Sequence, residues 1–285
     1  MAWGPWLYWW RCGYADAPQF WEMVTISNGY TRSNYQELCG HFIYGEKTTL
    51  KMIQQIAIDK LPQLNLRGLI STRKLKEFYF NVLDKEHPMM PYLMKVALTD
   101  SIILPLSKYY GLLPELSHMG LFVSGFGEPW TDSSTPLGTQ CLHRDNWDRK
   151  HVKVFVHLTD VTEDDGPLCL LPADVSTWLM KKTGHYWNCK PYRDDAEWKR
   201  YVSDKDFVKV TGPAGTVAIV DTSACLHYGS RTRAGRQRQV FVLHYTEFSA
   251  YSDAVTGEYE DINLPTCPEL AQGLTGRQKL VFRTI

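Results

Sequence analysis

Hydrophobic positions along this chain change their period near Gly111. Before it, Tyr35, Leu38, Cys39 and Phe42 recur at steps of three and four, as do Leu50, Ile53, Ile56 and Ala57. That spacing marks one face of an α-helix. Ser71 suits the N-cap of a further helix carrying Leu75, Phe78, Tyr79 and Val82. Met90 to Tyr110 keeps the helical period longest; Pro105 should kink or divide it and Gly111 should end it. Residues 1–30 are aromatic and broken by glycine and proline, with one strand expected over Phe20–Ile26.

After Gly111 the pattern alternates. Strands are expected over Met119–Gly125, His151–Leu158, Leu168–Leu171, Thr216–Val220 and Arg238–Tyr245. In the second, Val152, Val154, Val156 and Leu158 share one face, suited to packing on helices. His151, Lys153, Phe155 and His157 share the other, suited to solvent or a polar cavity. In the last, Arg238, Val240, Val242 and His244 lie on one side. Turns fall at Asp164-Asp165-Gly166-Pro167 and Gly212-Pro213-Ala214-Gly215. The pattern gives an all-β core with added helices (α+β) in a single domain. Residues 1–118 form a mainly helical part, 119–248 the core and 249–285 a tail. Within the core, 173–210 is an aromatic, charged insertion without clear period, either an active-site cover or an ordinary surface insertion.

Composition narrows the function classes. The 285 residues carry 31 basic and 31 acidic side chains, a formal net charge of +0. That balance disfavours a general grip on nucleic acid, which needs a basic surface. The seven cysteines are scattered, odd in number and form no C-x-x-C pair, so free thiols in a reducing, cytoplasmic compartment are expected. No apolar run is long enough to span a bilayer. The start lacks the basic region and cleavage site of a signal peptide. Trp3, Trp6, Trp9 and Trp10 suit either packing on the domain or a partner subunit, or contact with a membrane interface.

The chemistry concentrates at Gln140 to Asp145. His143 and Asp145 stand two apart ahead of an alternating strand, so in extended chain both point the same way and can reach one ion. His227, after another strand, is the candidate third ligand. Two imidazoles and a carboxylate suit non-haem iron(II) with open positions; catalytic zinc more often takes three histidines or two with a glutamate. The pair alone is weak evidence, since the chain has nine histidines. Arg238, eleven positions after His227, could hold the far carboxylate of a metal-chelating acid through its planar fork. An ordinary ion-paired arginine fits the same position, since Arg231, Arg233 and Arg236 crowd the stretch.

The ordered set Gly138 to Asp145, Asp148-Arg149-Lys150, Lys153-Val154-Phe155, Gly166-Pro167, Pro172, Ala214-Gly215-Thr216-Val217 through Asp221, and His227 to Arg238 resembles the phytanoyl-CoA dioxygenase family. These are iron(II)- and 2-oxoglutarate-dependent oxygenases. The resemblance runs from about Tyr109 to Thr246. It implies a double-stranded β-helix (jelly-roll, cupin-like) core with helices packed on one sheet. It implies iron held by His143, Asp145 and His227, and 2-oxoglutarate held through Arg238, with Gln140, Lys153 and Phe155 lining the co-substrate pocket. Two departures stand out. Pro172 is followed by Ala173-Asp174-Val175 where the family often has Gly-Ser-His, and the Gly-Ser after the distal histidine is displaced by one, to Gly229-Ser230.

The resemblance further implies consumption of dioxygen, release of succinate and CO2, and oxidation of a small molecule. A carboxylate at Asp145, where related halogenases have Ala or Gly, favours hydroxylation of an unactivated C–H bond. Desaturation, cyclisation, epimerisation and endoperoxidation use the same ligands, and a non-catalytic jelly-roll binding protein is the reading of another class. Arg144, His157, Trp178, Tyr228 and Arg231 are the residues expected on the substrate side, with the basic ones favouring an anionic metabolite.

Overall fold

A computed structural model of the chain describes residues 79–81, 90–98, 100–125, 129–146, 148–187, 190–247, 262–263, 274 and 276–281. The expected strand at Phe20–Ile26, the helices between residues 33 and 60, the tryptophan cluster and most of the tail lie outside them.

Two antiparallel sheets carry the chain beyond Gly111 in a β-rich, jelly-roll-like arrangement. The strands are β1 (Tyr79–Asn81), β2 (Glu115–Ser124), β3 (His151–His157), β4 (Leu168–Leu170), β5 (Val208–Val210), β6 (Val217–Asp221), β7 (His227–Tyr228), β8 (Arg238–Thr246) and β9 (Ile262–Asn263). The larger sheet runs β1-β2-β8-β3-β6, with β9 also pairing β2; the smaller runs β5-β4-β7. Among the described residues five helices accompany them: α1 (Met90–Ala97), α2 (Asp100–Tyr110), α3 (Ala173–Thr183), α4 (Ala196–Lys199) and α5 (Gly276–Val281).

The valine face of β3 packs as its alternation dictates. Val152, Val154 and Val156 join Leu121, Val123, Phe241 and Leu243 in one buried cluster with Leu93, Met94, Ile102, Ile103 and Leu106 of α1 and α2. Burying each such side chain contributes roughly 1.5–3 kcal/mol. The same burial explains why Pro105 does not divide the helix. A mid-helix proline costs about 3 kcal/mol, and Ile102, Ile103, Leu106, Tyr109 and Tyr110 around it are all buried. The break falls instead between Ala97 and Asp100. Gly111 ends α2 with φ 73 and returns its N–H to the Ser107 carbonyl at 2.9 Å.

One expectation is corrected. Tyr79 belongs to strand β1, not to a helix capped by Ser71, and β1 pairs with the end of β2, Tyr79 opposite Ser124. The helical spacing is present, but aromatic Tyr79-Phe80 also suits a strand, and a free sheet edge decides between the two.

The opposite face of the large sheet looks toward the small one. Register places its side chains in rows across the strands. His118, His244, Lys153 and Val220 form one row; Gly120, Val242, Phe155 and Ala218 the next; Phe122, Val240 and His157 the third; Ser124 and Arg238 the fourth. Lys153 and Phe155 keep partial exposure although β3 is flanked on both sides by β8 and β6. The space between the sheets is therefore open to solvent at its centre.

The insertion contains the 11-residue helix α3 and the short α4. Its Leu179, Met180, Tyr192, Trp198 and Phe207 pack with Leu171, Leu226 and Tyr228 in a cluster of their own. Tyr228 lies on the face of β7 opposite His227, as strand alternation requires, so the cluster sits outside the small sheet.

Candidate metal centre

His143 and His227 are brought together by backbone pairing. Each donates its N–H to the other's carbonyl, His143 to His227 at 3.0 Å and the reverse at 2.7 Å. Their rings lie 4.3 Å apart between centroids. Asp145 is anchored two residues on, its N–H donating to the Thr222 carbonyl at 2.9 Å. One ligand atom from each of His143, Asp145 and His227 lies within 4.8 Å of the others, the group among the described residues that could hold a metal ion.

Ring orientation fits that use. His143 Nδ1 stands 2.7 Å from the Cys141 carbonyl and His227 Nδ1 stands 2.9 Å from the Cys225 carbonyl, each two residues back. A carbonyl accepts only, so Nδ1 carries the proton and Nε2 presents its lone pair. Pinning the distal nitrogen fixes tautomer and direction, the usual way a ligating imidazole is prepared.

The charges agree. Burial pushes the Asp145 carboxyl up, but Lys153, with His227, His151 and His143 behind it, outweighs burial and holds it well below the usual carboxylate range. Lys153 Nζ lies 2.8 Å from Asp145 Oδ2. Burial, with His143 next, pushes His227 down to about 3, so its lone pair is free at neutral pH. His151, His118 and His244 are buried beside Lys153 and are held neutral in the same way.

Arg238 is buried at the other end of the same face. Its Nη2 donates to Ser230 Oγ at 3.1 Å. A Cβ added to Gly229 would stand 3.5 Å from that nitrogen, so the guanidinium lies along the backbone two residues after His227.

Ser230 adopts φ 60, the left-handed region, and so turns its hydroxyl to Arg238. The strained turn is held from three sides. Ser230 N–H donates to the Gly166 carbonyl at 3.0 Å, Gln140 Nε2 donates to the Ser230 carbonyl at 3.1 Å, and Arg231 Nε and Nη2 donate to the Gln140 carbonyl. Gly166 has φ 66, and a Cβ there would meet Arg231 N at 2.7 Å, so both backbone angle and close approach require glycine.

The structure thus distributes the other expected residues. Phe155 and His157 face the interior with Lys153 and Arg238. Lys153 is engaged with Asp145, and Gln140 with Ser230. Arg144 Nη2 donates to the Tyr186 carbonyl at 3.1 Å. Arg231 makes a two-point pair with Asp195, at 2.7 Å for each nitrogen, and its guanidinium carbon lies 3.9 Å from the Tyr228 ring centroid and 4.4 Å from that of Trp130. Tyr228 is buried on the far face of β7, and Trp178 is half exposed on α3 against Tyr201. Arg231, Tyr228 and Trp178 are therefore not brought to the metal group. Arg233 pairs Asp132, and Arg236 lies near Asp164 and Asp165. Sequence reasoning missed Asp195, Thr222, the Cys141 and Cys225 carbonyls and His118. The carbonyls carry no side-chain signal, and His118 lies in a strand whose expected start fell after it.

No family model and no curated protein sequence matches the chain. Solved structures similar to it include HygX from Streptomyces hygroscopicus with nickel and 2-oxoglutarate bound, at 13% identity over 64% of this chain and 77% of that one, TM-score 0.42. AviO1 from Streptomyces viridochromogenes Tue57 shows 15% identity over 70% and 85%, TM-score 0.40. The epimerase SnoN in complex with Fe3+, alpha ketoglutarate and nogalamycin RO shows 15% identity over 71% and 82%, TM-score 0.41.

Proposed function

We propose that the protein is a non-haem iron(II)- and 2-oxoglutarate-dependent dioxygenase on a double-stranded β-helix core. It hydroxylates an unactivated C–H bond of a small molecule and releases succinate and CO2. The observation that supports this reading is that the space between the two sheets bears both halves of the required site, His227 from the small sheet and Arg238 from the large one. Two imidazoles and a carboxylate converge within 4.8 Å, and a buried arginine on the neighbouring strand lies along the backbone after one of them.

The donor set fits iron(II), which accepts mixed nitrogen and oxygen ligands with positions left open. His143 and His227 would supply Nε2 and Asp145 a carboxylate oxygen. Bound iron and 2-oxoglutarate supply the activation of dioxygen, which no protein side chain can provide. The chain's residues do the rest. The Cys141 and Cys225 carbonyls orient the imidazoles. Lys153 keeps Asp145 ionised and in place. Arg238 and Ser230 receive the distal carboxylate of the co-substrate. Phe155, Phe122, Val240 and Val242 line the space between the two ends with apolar surface.

The substrate side is less cationic than the arginine count suggests. Arg231, Arg233 and Arg236 face acidic partners and Arg144 a backbone carbonyl. Lys153 is balanced by Asp145. A polar small molecule suits the His118, His151 and His244 surroundings as well as an anion does. The reading is tested by dioxygen uptake and succinate release. Both should require iron(II) and 2-oxoglutarate and should be abolished by Asp145→Ala; turnover that persists without either would overturn it.

A further inference from the structure

The imidazole of His157 has no role in the site described so far. It stands on the interior face, one row from Arg238, and is 1% exposed. Its ring donates one N–H to the Gly212 carbonyl. Its Nδ1 is buried and without a hydrogen-bond partner. A buried nitrogen left unpaired costs free energy, so a ligand that supplies its partner is favoured.

We propose that His157 is a second anchor for the distal carboxylate of 2-oxoglutarate, donating from Nδ1 beside Arg238 after taking up one proton from solvent. This rests on the reading that 2-oxoglutarate binds at Arg238. In the site as it stands, the tautomer bonded to Gly212 leaves Nδ1 an acceptor, unable to bond a carboxylate. Burial, then the Arg238 charge, hold the ring neutral, down to about 4. A carboxylate seated on Arg238 cancels that charge and offers an acceptor, so the ring gains a reason to bind a proton. Among the described residues no carboxylate figures among the groups that act on the His157 ring. Arg238 faces the ring from β8, and Gly212 faces it from the loop entering β6. Phe122 and Val240 share its row and Ser124 the row of Arg238, all without charge. Asp160 is turned to the Ala214 N–H at 2.8 Å, and Asp165 to Thr162.

The sign follows from linkage. A group whose pKa rises on binding makes affinity fall with increasing pH, by up to tenfold per pH unit between its free and bound values. The test is anaerobic calorimetry of the iron(II)-loaded protein at pH 6, titrated with 2-oxoglutarate in two buffers of different ionisation enthalpy. Uptake approaching one proton is expected. 2-Oxobutyrate, which chelates metal but lacks the distal carboxylate, should bind with none. His157→Gln, which can donate without titrating, should bind 2-oxoglutarate without proton uptake and with little pH dependence. His157→Leu should lose about tenfold or more in affinity at pH 6. Binding of 2-oxoglutarate with no more uptake than 2-oxobutyrate overturns the role of His157 alone. No binding of 2-oxoglutarate overturns the Arg238 site as well.

Discussion

His143 and His227 form a hydrogen-bonded antiparallel pair, 84 positions apart in the chain (227 − 143), each with Nδ1 held by the carbonyl two residues before it. The two imidazoles are thus placed by main chain, and only Asp145 needs a side-chain partner. Replacing either histidine by alanine should abolish tight divalent-metal binding while leaving the backbone bridge and the fold intact. Metal titration followed by circular dichroism checks both. Retained metal affinity in His227→Ala would exclude that residue as a ligand.

Lys153 makes the metal-free site tolerable. Lys153→Met leaves the Asp145 carboxylate buried without its nearest cation. Breaking such a pair costs about 3–5 kcal/mol, so metal-free Lys153→Met should lose stability on that order in urea unfolding. A bound divalent ion replaces the missing charge, so saturating metal should recover most of the loss.

Arg231 is predicted to matter for architecture. It ties Asp195 of the insertion to Gln140 ahead of the metal group and lies over Tyr228. Lysine lacks the planar fork and cannot make both contacts. Arg231→Lys should lower stability by about 2–4 kcal/mol, as expected for a broken, largely buried pair, and should expose the segment around 190–200 to limited proteolysis. Gly166→Ala should destabilise too, by at least about 1–3 kcal/mol, since it forces a side chain into φ 66 against Arg231.

Acid should unfold the metal-free protein early. His118 and His157 are pushed down to about 4 and His151 and His227 to about 3, each chiefly by burial. The unfolded chain binds those protons near pH 6.5. Their contribution is therefore present above that pH and is lost as pH falls toward the folded values. Asp148, raised to about 6 by burial, and Asp221, raised by burial, act in the opposite direction, but they are two against five, since burial also holds His244 well down. Stability between pH 6.5 and 5 should fall by more than about 1.4 kcal/mol per pH unit. A flat profile in denaturant titrations would contradict the neutral buried imidazoles.

Much of this was legible in sequence because period-2 alternation is a strong constraint. The two faces of β3, the inward set on β8 and the pairing of His143 with Asp145 all follow from it. The same rule places Tyr228 opposite His227, on the outer face of β7. The partner of Arg231 was not legible for a different reason: Asp195 lies 36 positions away (231 − 195), in a segment without period. Ser230 shows the limit most clearly. Its hydroxyl meets Arg238 from a left-handed backbone angle that no pattern of hydrophobic positions encodes. Tyr79 shows the converse, a residue at helical spacing recruited by an open strand edge.

The central claim is that the space between the two sheets holds iron(II) and 2-oxoglutarate together. Anaerobic addition of iron(II) and then 2-oxoglutarate, followed by visible absorption, tests it most directly. The account predicts a metal-to-ligand charge-transfer band that needs both additions, is lost in Asp145→Ala and His227→Ala, and needs far more 2-oxoglutarate in Arg238→Ala. No band in the unaltered protein at saturating iron(II) and 2-oxoglutarate, or an undiminished band in Asp145→Ala, would contradict it.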